Sequence, residues 1–153
     1  MESNIPGVAI ESLRQIEDSR GAVLHMLRSD SPLFNGFGEI YFSITNPGVV
    51  KAWKRHFRQI QHFAVPVGRI RLALYDDRPG NNEPILETWE FGRPDAYCLV
   101  RIPAMVWYGF QGISACPAMI ANCADIPHEP AESERAVYPC EQIPFQWPEL
   151  RYE

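Results

Sequence analysis

The sequence predicts an all-β domain, a barrel or a sandwich, on three observations. Six short runs are rich in Val, Ile, Leu, Tyr and Phe and are bounded by Gly, Pro, Asn or Asp, as strands are. Fourteen prolines in 153 residues leave little room for long helices. The runs follow one another at short intervals, the spacing of a barrel or sandwich. A chain of this length favours one domain, residues 1–153, with a genuine hydrophobic core.

"GAVLHML" (21–27) and "GEIYFSI" (38–44) open the series, and "VKAWKRHF" (50–57) is strand-like as well. "QHFAVPVG" (61–68) and "RIRLALYD" (69–76) follow, with Val67-Gly68 as a turn or bulge between them. "RIRLALYD" alternates, with Ile70, Leu72 and Leu74 on one face and Arg69, Arg71 and Ala73 on the other. "DDRPGNNEP" (76–84) is a loop by composition. "AYCLVRI" (96–102) and "PAMIANCAD" (117–125) complete the strands. "PHEPAESER" (127–135) is the one helix candidate, brief, with Pro127 or Pro130 near its start and acids in the first turn.

A net charge of -5 argues against non-specific nucleic-acid binding, so any anion site must be a local basic patch. No apolar run approaches the roughly 20 residues of a membrane helix. The opening "MESNIPGVAI" lacks a charged leader and an apolar signal core, which predicts a soluble, cytoplasmic protein. Cys98, Cys116, Cys123 and Cys140 form no CxxC pair and read as free, structural thiols. Around "KRHFRQIQH" only His56 and His62 offer metal ligands, His25 and His128 being remote, so neither metal nor cofactor is expected.

The unusual stretch is "VKAWKRHF". It crowds Lys51, Lys54, Arg55 and His56 around Trp53. Surface charge accounts for one or two of these; a groove for an anionic ligand accounts for all. His56 titrates near neutrality and suits a base or an acid. Lys54 lies two residues earlier, so on a regular strand the two share a face. Its ammonium suits an enolate oxygen, and its amine, if desolvated, suits a base.

Five segments, in order over residues 18 to 148, resemble the dTDP-4-dehydrorhamnose 3,5-epimerase family. "DSRGAVLHML" resembles its "D-x-R-G-x-F", and "NPGVVKAWKRH" its "KGVLRGLHYQ". "VGRIRLALYDDRPG" resembles "RGEVFDVAVDLRxGSP", and "RIPAMVWYGFQGIS" resembles "xIPPGFAHGFQxLS". "NCADIPHEPAESER" with "IPFQWP" resembles "KxTDYYxPExER" with "IxWP". The resemblance implies a cupin-type, double-stranded β-helix jelly-roll barrel with one or two short helices. It also implies a homodimer and a nucleotide-linked 4-keto sugar as substrate.

The chain departs from that pattern at the catalytic positions. Lys54 stands where the family has the histidine of "GLHYQ", Tyr108 where it has that of "AHGF", and Ala121 where it has the catalytic tyrosine. The sequence stops soon after "QWP", before the aspartate that supports the family's histidine. The related nucleotide-sugar 3,4-ketoisomerases carry "RGxHAHKxxxQ". Against that pattern Lys51 matches the arginine, Lys54 and His56 the two histidines, and Gln61 the glutamine.

The resemblance therefore implies an epimerase or isomerase acting on a dTDP-, GDP- or UDP-linked 4-keto-deoxysugar for surface polysaccharide. His56, Lys54 and Tyr108 are the implied catalytic residues. Arg20 and Lys51 would hold the diphosphate, with Tyr41, Trp53, Gln61 and Phe110 completing the substrate site. Asp125 is expected to anchor a turn through its own backbone. The alternative is a catalytically inactive cupin that binds a sugar nucleotide or a partner enzyme.

Overall fold

A computed structural model describes residues 1–150 of the chain. Two five-stranded antiparallel sheets face each other, as the strand-rich sequence predicts. The first sheet has β1 (Ala9–Ser12) at one edge, then β9 (Cys98–Ile102), β6 (Gln61–Val67), β11 (Ala118–Ala124) and β4 (Glu39–Thr45) at the other. The second runs β12 (Ser133–Arg135), β5 (Val50–His56), β10 (Trp107–Gly112), β7 (Arg69–Asp76) and β8 (Ile85–Gly92). A separate hairpin pairs β2 (Gln15–Asp18) with β3 (Gly21–Leu24).

All six strand-like runs form strands, with trimmed ends; "GAVLHML" keeps only its first four residues as strand. Gly68 is the single residue between β6 and β7, and it carries the chain from one sheet to the other. Its φ is +69°, and a Cβ there would stand 2.7 Å from Ala118 Cα. Conformation and space thus both demand glycine.

The helix expected over 127–135 is reduced to one 3-10 turn, Pro130–Glu132. Beyond it Ser133, Glu134 and Arg135 pair with His56, Arg55 and Lys54 of β5, and strand hydrogen bonding replaces helix. Pro130 occupies the first helical position, where its missing N–H costs nothing.

The main core lies between the sheets. Ile70, Leu72 and Leu74 of β7 point into it and are fully buried, each worth about 2 kcal/mol of apolar burial. The opposite face of β7 is not solvated, as simple alternation would suggest. Ala73 and Tyr75 pack there in a second core with Trp53, Trp107, Ile143 and Trp147. The C-terminal segment therefore closes the outer side of the second sheet. No helix among the described residues is long and apolar enough to cross a membrane.

Candidate active site

A cavity of about 460 Å³ opens between the two sheets. The first sheet lines it with Tyr41 and Ser43 of β4, Phe63 of β6, and Ile120 and Asn122 of β11. The second contributes Lys51, Trp53 and Lys54 of β5, Tyr108 and Phe110 of β10, and Arg135 of β12. All the cations are on one wall, and the other offers only neutral polar and apolar groups. This is the local basic patch that an acidic chain needs in order to hold an anion.

Lys51 and Lys54 are three residues apart, and a regular strand would turn them to opposite faces. The β5–β10 ladder prevents this. Tyr108 pairs with Lys54 and Phe110 with Lys51, so two steps of β10 span three of β5. The bulge re-aims β5 and brings both ammonium groups to the cavity.

Lys51 also crosses to the facing sheet, where its Nζ donates to the carbonyl of Ile44. The Lys54 ammonium makes no side-chain hydrogen bond or ion pair with any described residue, although its backbone pairs with Tyr108 and Arg135. Burial first, and the nearby Arg135 guanidinium second, lower its pKa below the ordinary lysine value.

His56 sits behind this wall, 4 % exposed. Its Nδ1 lies 2.9 Å from Glu132 Oε2, and its Nε2 lies 3.2 Å from the Tyr108 hydroxyl. Glu132 is buried as well, and its Oε1 accepts the backbone N–H groups of Arg58 and Gln59, the latter at 2.9 Å. Burial alone would raise the Glu132 carboxyl. Those N–H donors and the His56 ring outweigh burial, and the group stays a carboxylate below its ordinary range.

Burial pushes His56 the other way, toward the neutral imidazole, against the pull of Glu132. The neutral ring donates from Nδ1 to Glu132 and accepts at Nε2 from the Tyr108 O–H. Burial, and then Tyr41, raise the Tyr108 pKa strongly, so its phenol keeps its proton. The result is a directed chain, Glu132 to His56 to Tyr108, whose last member faces the cavity.

The structure thus brings Lys54, Tyr108, Lys51, Tyr41 and Phe110 to one cavity; Trp53 borders it, but its ring is buried in the outer core against Phe145 and Trp147 and is not the substrate wall the sequence suggests. His56 shares their wall but is screened from the space by Tyr108. Gln61 is buried beneath it, where its Oε1 accepts from Asn122 and its Nε2 donates to Gln59 Oε1 at 2.8 Å. Arg20 is elsewhere: it caps the β2–β3 turn, exposed, and pairs with Asp18 at 2.6 Å. Asp125 accepts the Ile60 N–H at 2.7 Å, anchoring that turn through a neighbouring segment and not its own backbone.

His62 faces away from the cavity, its ring nitrogens against the Cys123 and Leu33 carbonyls at 2.9 and 2.8 Å. Among the described residues no three His, Cys, Asp or Glu side chains cluster as a metal site would require.

Glu132, Asn122 and Arg135 were not singled out by sequence reasoning. Asn122 and Arg135 lie inside recognised segments, "NCAD" and "ESER". Glu132 opens the same "ESER" segment, but nothing in the sequence pairs it with His56, and an acid in a proline-flanked charged run reads as solvated.

No family model matches the chain. It is 36% identical over 149 residues to a probable low-salt glycan biosynthesis epimerase of Haloferax volcanii, covering 94% of this chain and 95% of that one. It is 28% identical over 145 residues to the spore coat polysaccharide biosynthesis protein SpsL of Bacillus subtilis, covering 94% and 96%. A crystal structure of a dTDP sugar isomerase from Desulfovibrio desulfuricans superposes with a TM-score of 0.90 at 53% identity, covering 93% of this chain and 91% of that one.

Proposed function

The chain belongs to the dTDP-4-dehydrorhamnose 3,5-epimerase-like family of cupin sugar epimerases and isomerases, and from that premise we propose that it epimerises or isomerises a nucleoside-diphosphate 4-keto-deoxysugar for surface polysaccharide. The observation that carries the reading is the Glu132–His56–Tyr108 chain, ending at a cavity that Lys51, Lys54 and Arg135 line on the same wall.

Such a reaction removes a weakly acidic proton beside a ketone and returns one. The substrate C–H proton passes to the Tyr108 oxygen as the phenolic proton passes to His56 Nε2. The imidazolium that forms rests against the Glu132 carboxylate. The electron pair moves to the ketone oxygen, where Lys54 stabilises the enolate. Lys51 and Arg135 meet the diphosphate, Arg135 with a planar fork of donors suited to it.

A homodimer fits the outer face of the edge strand β4, where Ile40, Phe42 and Ile44 are exposed in a stripe. Arg20 lies outside its own cavity, so a role at the diphosphate requires the cavity of a second copy. The four cysteines are free, in keeping with a reducing cytoplasm.

The test is incubation with a panel of dTDP-, GDP- and UDP-linked 4-keto sugars in heavy water. Deuterium uptake beside the ketone is expected with at least one of them. Ligand-induced thermal stabilisation without uptake across the panel would instead identify a binding protein.

A further inference from the structure

Inverting a carbon requires a proton donor on the face opposite the base, and the cavity holds a second phenol on its second wall. Tyr41 projects from β4 of the first sheet, whereas Tyr108 and Lys54 belong to the facing sheet. A sugar ring lying between the sheets presents one face to each group.

The surroundings of Tyr41 suit proton donation. Asn122, its partner across the β4–β11 ladder, donates an amide hydrogen to the phenol oxygen at 2.7 Å. That donor stabilises the negative charge the oxygen acquires when it releases its proton. Among the described residues the hydroxyl's own proton has one acceptor, the distant Gln61 Oε1 at 3.5 Å, and it can turn to the cavity. Asn122 cannot swing away. Its Oδ1 accepts the His62 N–H at 3.2 Å, and Gln61, itself fixed by Gln59, holds its amide.

We propose that Tyr41 is the catalytic acid that returns a proton to the sugar on the face opposite Tyr108, with Asn122 positioning it and stabilising its phenolate. This deepens the epimerase reading and rests on it. The C–H bond broken on the Tyr108 side yields the enolate. The O–H bond of Tyr41 breaks as the new C–H bond forms on the other face. The Tyr41 phenolate then takes a proton from cavity water, and the His56 imidazolium releases one, restoring the enzyme. Burial, partly countered by Asn122, raises the Tyr41 pKa and keeps the phenol protonated at neutral pH.

The experiment separates exchange from inversion. Wild type, Tyr41→Phe and Asn122→Asp are given the accepted 4-keto sugar nucleotide in heavy water, and NMR follows deuterium uptake and configuration separately. Tyr41→Phe loses only a hydroxyl. It is expected to keep exchange, with retention of configuration, while inversion falls about 100-fold or more. Asn122→Asp keeps the acceptor for His62 but removes the donor to Tyr41, and inversion falls roughly tenfold or more.

Inversion at the wild-type rate in Tyr41→Phe overturns the assignment. So does equal loss of exchange and inversion in a Tyr41→Phe protein of unchanged melting temperature and nucleotide affinity. Absence of exchange in the wild type overturns the epimerase reading itself, and the assignment with it.

Discussion

The His56 and Tyr108 rings stack with an interplanar angle of 7°, and His56 Nε2 stands 3.2 Å from the Tyr108 hydroxyl. With Nδ1 committed to Glu132, the phenol must be the donor in this contact. The dyad therefore meets the cavity through the Tyr108 phenol and not through the imidazole.

The buried dyad makes folding stability depend on pH in two windows. The fold favours neutral His56, whose folded pKa is lowered from 6.5. Its contribution is full above the ordinary histidine range and is lost as pH falls through the lowered value. Glu132, lowered from 4.5, contributes above the ordinary glutamate range and is lost as pH falls through its own depressed value. Urea midpoints measured from neutral to strongly acidic pH should show both declines. Glu132→Gln should abolish the lower one and reduce stability at neutral pH by about 2 kcal/mol.

Arg135 and Lys54 are register partners on β12 and β5, and both face the cavity. Replacing Arg135 by Gln removes a cation that disfavours the Lys54 ammonium, so the Lys54 pKa should rise. Burial would still lower it, while Glu132 and Glu39 favour the charged form. Titration of the lysine ε-carbon by NMR reads this directly, and Arg135→Lys should restore most of the wild-type value. An unchanged midpoint in Arg135→Gln would show that the two groups do not sense one another.

Much of the fold is legible in the sequence because sheet burial follows alternation. Ile70, Leu72 and Leu74 declared the inner face of β7. Ala73 did not declare that its own face is also buried, because the covering Trp147 lies far along the chain. In the site, Lys51 and Lys54 were legible as residue types. Their common orientation was not, because it depends on a bulge set by the register against β10. The part Glu132 plays was illegible for a related reason, although the residue lies in the recognised "ESER" segment. Its contact with His56 spans 76 positions and exists only once the 3-10 turn and β12 dock against β5.

The C-terminal segment should be indispensable to the cavity wall. Trp147 packs against Trp53 with ring centroids 5.5 Å apart, and against Phe145 edge-on at 4.9 Å. Trp147→Ala should cost about 3 kcal/mol in a denaturant titration. It should also weaken nucleotide binding, because the Trp53 ring that leans on Trp147 anchors β5, which carries Lys51 and Lys54 to the cavity. Loss of stability with unchanged affinity would separate the outer core from the site.

The central claim is that the chain from Glu132 to Tyr108 moves the proton. Its most direct measurement is solvent deuterium uptake beside the ketone by His56→Asn and Tyr108→Phe, each compared with wild type at saturating sugar nucleotide. The account predicts a loss of about 100-fold or more in each, with nucleotide affinity retained. Uptake at the wild-type rate in either variant would contradict it.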